Sequence, residues 1–214
     1  TNKFSTSTIS VRNKRVPSTI LGLSSDAARG TTRGHALTVK SGDIRFQDQY
    51  GNSMTADEVK GSAESGKSYK IKVTLGDATN FTNNTTTATD ITGSDDTIIN
   101  LTAAAAGTKS GSSKVTLEFI YGDTGSATND KPVPSSEDKT VEMYAAVLAD
   151  MSNFAIKDPG LRPASNLDDP SNIIDHSNEG FEPTVFGYYA GQKISLAKTD
   201  DFTVYGATSS APTY

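Results

Sequence analysis

The sequence predicts an all-β protein built from packed sheets. Three observations carry that prediction. Apolar and polar residues alternate with a period of two in residues 44–50, 69–75 and 115–121, the pattern of a strand with one buried face. Each stretch stops at a turn pair, Gly51-Asn52, Gly76-Asp77 or Gly122-Asp123, where the chain can take the conformations a tight reversal needs. Only 34% of the 214 residues are hydrophobic and Trp is absent, so the core is thin, as it is between two sheets.

Residues 1–23 hold two short β-like runs, residues 8–11 and 16–23, the second opened by Pro17. Residues 24–34 are rich in Ser, Ala, Gly, Thr and Arg and read as a linker. A short strand follows over residues 36–39. In residues 44–50, Ile44, Phe46 and Tyr50 fall on the inner side, and Arg45, Gln47 and Gln49 on the outer. Residues 55–60 suit one helical turn, with Thr55 as N-cap and Glu58 three residues on. Residues 69–75 alternate most cleanly, with Tyr69, Ile71, Val73 and Leu75 inward and the Lys and Thr residues facing water.

Residues 77–97 are rich in Thr, Asn and Asp and read as a surface excursion with one short edge strand. Residues 98–101 resume the sheet. Residues 103–113 form a small-residue turn region, since four Ala before Gly107 are too few to nucleate a helix. The strand of residues 115–121 is followed by a polar loop, residues 125–139, and by a strand placing Val141, Met143, Ala145 and Val147 on one face. Residues 150–153 read as a junction. Beyond it come short strands at Phe154 and Ile156, at residues 184–189, 193–196 and 202–205, and an irregular loop over residues 160–182. The division expected is the end of one unit plus a linker in residues 1–34, a sandwich in residues 35–150, and a second unit in residues 151–214. Two hairpins do not make a stable sandwich, so that second unit is expected to be incomplete.

The absence of Cys removes disulfides, thiolate metal sites and a Cys nucleophile. Two His residues, His35 and His176, leave little for imidazole ligation. No stretch reaches the roughly 20 apolar residues that span a bilayer. The chain opens on Thr1 rather than on Met or a signal peptide, as expected of a processed, Met-trimmed or excised product. Net charge is −5, but residues 1–40 carry Lys3, Arg12, Lys14, Arg15, Arg29, Arg33 and Lys40 against Asp26 alone. A basic arm ahead of an acidic body suits nucleic acid, an acidic polymer or an acidic neighbour. No aromatics interleave these charges as a nucleic-acid platform requires, so a solvated domain edge is expected.

Several motifs suggest chemistry. Residues 61–68 match the phosphate-loop pattern G-x-x-x-x-G-K-S, and residues 145–150 resemble an apolar strand ending in a magnesium-binding Asp. That loop must follow a buried strand and open a helix. The alternating residues 69–75 behind Ser68 predict a strand instead, so no nucleotide is expected. Asp175-His176 could belong to a nucleophilic triad, but no G-x-S-x-G elbow accompanies it. The acidic pairs Asp95-Asp96, Asp168-Asp169 and Asp200-Asp201 read as solvated turns. A junctional calcium would draw on Asp150, Asp158, Asp168 or Asp169, although no EF-hand run is present. Asn80, Asn83, Asn84 and Asn100 each head a glycosylation sequon. No catalytic, cofactor-binding or metal-ligating residue is assigned.

Asp43-Ile44-Arg45-Phe46-Gln47-Asp48-Gln49-Tyr50-Gly51-Asn52 resembles the x-F-x-D-Q-Y-G-N phrase of Ig-like repeats in bacterial S-layer and other cell-surface proteins. Residues 99–103 and 111–117 look like the late strands of such a repeat. Residues 181–187, 191–196 and 201–204 are similar to the opening of a further one. The departures are the excursion of residues 77–97 and the Pro-rich residues 158–183. The resemblance implies tandem Ig-like β-sandwiches in a non-enzymatic, extracellular, self-assembling array at the cell surface, often built with calcium. Its expected partners are further copies or neighbouring repeats and a cell-wall polymer. Two alternatives stand beside it. One is a virion or filament subunit that uses the basic arm of residues 1–40. The other is a carbohydrate-binding or adhesive module in which Tyr188, Tyr189 or Tyr205 stacks on sugar.

Overall fold

A computed structural model describes residues 13–83, 87–157, 184–197 and 200–202. Within them the protein is mostly β, as the alternating sequence requires. The strands are β1 (Pro17–Leu23), β2 (Gly30–Thr32), β3 (Ala36–Lys40), β4 (Ile44–Asp48), β5 (Ser53–Met54), β6 (Lys67–Leu75), β7 (Phe81–Asn83) and β8 (Thr89–Asp90). They continue with β9 (Thr97–Ala103), β10 (Gly111–Asp123), β11 (Lys131–Pro132), β12 (Lys139–Ala146), β13 (Ser152–Lys157), β14 (Thr184–Tyr189) and β15 (Gln192–Ser195). Among the described residues one α-helix, α1 (Ala56–Ser62), sits between β5 and β6, and single 3₁₀ turns occupy Ser41–Asp43 and Leu148–Asp150.

The strands form three sheets. Two have three strands, ordered β1-β4-β5 and β3-β9-β7. The third has nine, ordered β13-β14-β15-β2-β12-β10-β6-β8, with β11 also on β10. Pairing is antiparallel except at β2, which lies parallel to both β12 and β15. The alternation expected in residues 69–75 and 115–121 becomes the long β6–β10 pair, with Ile71 opposite Phe119 and Val73 opposite Leu117. Ile20, Phe46 and Val59 share one core with Leu37, Ile99, Leu101, Ile71 and Leu117. Phe46 of the first sheet meets Phe119 of the large sheet at 5.8 Å between ring centroids.

Several local expectations change. Residues 24–34, linker-like in composition, contain the buried strand β2; Gly and Thr suffice there because both neighbours pair with its backbone. Residues 77–97 hold two short strands, β7 and β8, where one was expected. Gly111 to Ser113, read as turn, begin β10 because β12 is long enough to pair with them. Val147 lies beyond β12, which ends at Ala146. The helical turn is present: Thr55 Oγ1 accepts from the Glu58 amide at 3.2 Å, and Glu58 Oε2 accepts from the Thr55 amide at 2.8 Å. The strand of residues 8–11, the loop of residues 160–182 and residues 203–214 lie outside the described residues.

Two corrections matter most. Tyr50, expected inward with Ile44 and Phe46, is 37% exposed, and Asp48 is the buried residue at 1%. Lys70, expected to face water, is 2% exposed. A buried charge persists only where partners surround it, so both corrections lead to polar clusters.

Candidate functional site: the Asp48 hub

Period two carries the inner face of β4 from Ile44 through Phe46 to Asp48. The carboxylate therefore enters the sheet face, and the turn behind it closes around it. Asp48 Oδ1 accepts the Tyr50 amide at 2.9 Å and the Asn52 amide at 2.8 Å. The Asn52 side chain donates to Oδ2 at 3.2 Å. Gly51, at φ +84°, makes the reversal, and Gln47 Nε2 donates to its carbonyl at 2.7 Å. The fourth donor is distant in sequence: Arg15 Nε donates to Asp48 Oδ2 at 2.6 Å.

Burial by itself pushes the Asp48 carboxyl up. The Asn52 amide, Arg15, the Asn52 side chain and the Tyr50 amide together outweigh it and hold the group at about 2. Asp48 is thus a fixed anion, and the chain ahead of β1 is gathered on it. Arg15 also donates to Glu58 Oε1 at 3.2 Å and to the Ser53 carbonyl at 2.5 Å. Gln49 behaves as a piece of strand, taking the Val16 amide at 2.8 Å and donating to the Lys14 carbonyl at 2.9 Å. The Tyr50 hydroxyl donates to the Asn13 carbonyl at 3.2 Å. Asp48, Gln49, Tyr50, Gly51 and Asn52 therefore form one device that straps residues 13–16 to the β4–β5 hairpin and α1.

A second cluster surrounds Lys70. Its ammonium donates to Asp130 Oδ1 at 2.6 Å and to the Ser126 carbonyl, with Asp90 Oδ1 at 3.9 Å. Next to it, a cleft of about 550 Å³ is lined by Lys67, Tyr121, Asn129, Lys131, Pro132 and Pro134.

The motifs that suggested chemistry are placed as follows. Lys67 and Ser68 open β6 rather than a helix; Lys67 pairs with Asp123, and Ser68 Oγ donates to Asp90. Asp150 accepts from the Ser110 amide at 3.0 Å and from its hydroxyl at 2.7 Å, and these bonds lower its pKa. Asp158, Asp168, Asp169, Asp175 and His176 lie outside the described residues. Among the described residues no group of three His, Cys, Asp or Glu side chains could hold a metal. Asp96 and Asp201 cap their own turns by accepting the Thr92 and Ala197 amides, while His35 lies 3.7 Å from Asp200. Asn80 donates to the Ser112 carbonyl and accepts from Arg33, and Asn83 donates to the Val73 carbonyl, so both side chains are engaged.

The described cations of the basic segment bond to this chain's own carbonyls and carboxylates, while Lys3 and Arg12 lie outside the described residues. Arg33 donates to the Lys109, Ala104 and Ala106 carbonyls, Lys14 to the Gly61 carbonyl, Arg29 to the Leu23 carbonyl and Lys40 to Asp95. Tyr188 and Tyr189 are half-buried, edge-on to Phe186 and Tyr144 respectively; Tyr205 lies outside the described residues.

Sequence reasoning missed Asp48, Arg15 and Lys70. For Asp48 a signal existed: an acid at an inward position of an alternating strand requires donors. Arg15 and Lys70 carried no such mark. No protein family, curated protein or solved structure matches the chain.

Proposed function

We propose that this chain is part of a structural, non-enzymatic surface-layer protein, built of tandem Ig-like sandwiches that assemble with their own kind outside the cell. In this reading the sandwich expected over residues 35–150 also takes in β1 and β2, which pair with β4 and β12, and residues 151–214 begin a further unit. The observation that carries the reading is the Asp48 hub. The residues that resemble the repeat phrase of such proteins are the ones that grip the incoming chain. A tandem array needs each unit to leave its neighbour in a set direction, and a buried anion held by four donors provides that stiffness.

The engagement of Lys14, Arg15, Arg29, Arg33 and Lys40 by carbonyls and carboxylates of this chain supports the same reading over a nucleic-acid-binding arm, since a cation already paired within the fold releases fewer counterions on binding. The test joins surface shaving of intact source cells with electron microscopy of the purified parent protein. Peptides of this chain in the shaved fraction, and ordered sheets on the grid, are the expected result. Peptides confined to the cell interior, with a protein that stays monodisperse, would overturn it.

A further inference from the structure

Lys70 is the one buried Lys or Arg among the described residues, and the fold gives it unusual company. It stands mid-strand in β6, directly opposite Asp90 of β8 and Ile120 of β10. Ile120 is itself buried and pairs with Pro132 of β11. The flank of the ammonium is therefore apolar, and two carboxylates close it off. Asp130 makes the 2.6 Å contact. Asp90 is aimed by Ser68 Oγ and by the Gly125 amide at 3.0 Å.

Gly122 makes the approach of Asp130 possible. A Cβ on Gly122 would stand 2.1 Å from Asp130 Oδ1 and 2.9 Å from its Cα, so glycine alone lets this acid sit against β10. An oxygen at 2.6 Å holds its own carbon near the roughly 3–3.5 Å of a near-attack contact.

We propose that Lys70 and Asp130 condense into an intramolecular isopeptide bond, a self-formed cross-link tying β6 to the segment that leads into β11. Asp90 takes one proton from the Lys70 ammonium, and Nζ adds to the Asp130 carboxyl carbon. A carboxyl oxygen leaves with two of the three ammonium hydrogens as water, and Nζ keeps the third as the amide N–H. Nothing is oxidised or reduced, and no co-reactant is needed. The driving force is electrostatic: the step replaces two charges held out of water by one neutral amide, and such charges are costly to bury. The inference stands on the Lys70 cluster alone and is independent of the surface-layer reading.

Intact mass of the purified chain, measured after denaturation, tests it. Wild type is expected to be lighter than its sequence mass by one water, with a branched Lys70–Asp130 peptide on digestion. Lys70→Arg keeps the charge and is expected at full mass. Asp130→Asn is expected to reach the same final mass as wild type, because its side-chain amide leaves as ammonia. Asp90→Asn, with its fold checked by circular dichroism, is expected to condense more slowly. Wild type at full mass after prolonged incubation in the folded state would overturn the proposal. So would Lys70→Arg carrying the same water loss, because a succinimide elsewhere would then be its source.

Discussion

Replacing Asp48 by Asn tests the hub directly. The folded carboxyl titrates at about 2 against an ordinary 3.8, a factor of roughly sixty in the folded-to-unfolded ratio at ten per unit. The sign follows from the depressed value. The unfolded chain binds this proton first as pH falls, so the stabilisation is fully present above the ordinary value and is lost on the way down to the folded one. The window is therefore about pH 5 to pH 2. Asn keeps an oxygen for the Tyr50 and Asn52 amides but turns an N–H₂ or a neutral oxygen toward Arg15.

Urea midpoints of wild type and Asp48→Asn, followed by circular dichroism because the chain has no Trp, should differ most near neutral pH and converge below about pH 2. Asp77, Asp123, Glu142 and Asp150 are also lowered by their hydrogen bonds, but they are common to both proteins and cancel in the difference. The same variant should be cut faster by trypsin after Lys14 and Arg15, since both are held through this hub. Two denaturation curves that fall in parallel from pH 5 to pH 2 would refute the reasoning.

Gly51→Ala should cost about 1 kcal/mol or more in chemical denaturation, because φ is +84° there, while an added Cβ meets only Gln47 Nε2 at an ordinary 3.7 Å. Thr55→Ala should cost about 1 kcal/mol by removing the α1 cap. Phe46→Ala should cost about 3–5 kcal/mol, as a fully buried ring against Phe119 is lost between two sheets; a loss below about 1 kcal/mol would mean those sheets do not share a core.

The strands β6 and β10 were legible because alternation and the turn pairs that end them agree, and both act over a few residues; that the two pair with each other was not. The α1 cap was legible for the same reason: Thr55 and Glu58 are three apart. The hub was half legible. Asp48 sat on the inner face in the pattern, yet its partner Arg15 lies 33 residues away, and no local rule links them. Asp175 and His176 fall outside the described residues.

By itself the sequence determined the all-β character, the two longest strands, the capped turn and the reversal at Gly51, because each depends on neighbours within one turn or one strand. Only the tertiary structure decided that β2, one glycine and two threonines, lies between β12 and β15. It also decided that Lys70, on the water-facing side of its own pattern, is buried under Ser126 and Asp130. Burial of a strand's second face depends on what folds over it, and that cover comes from residues some 60 positions along the chain, where periodicity carries no information.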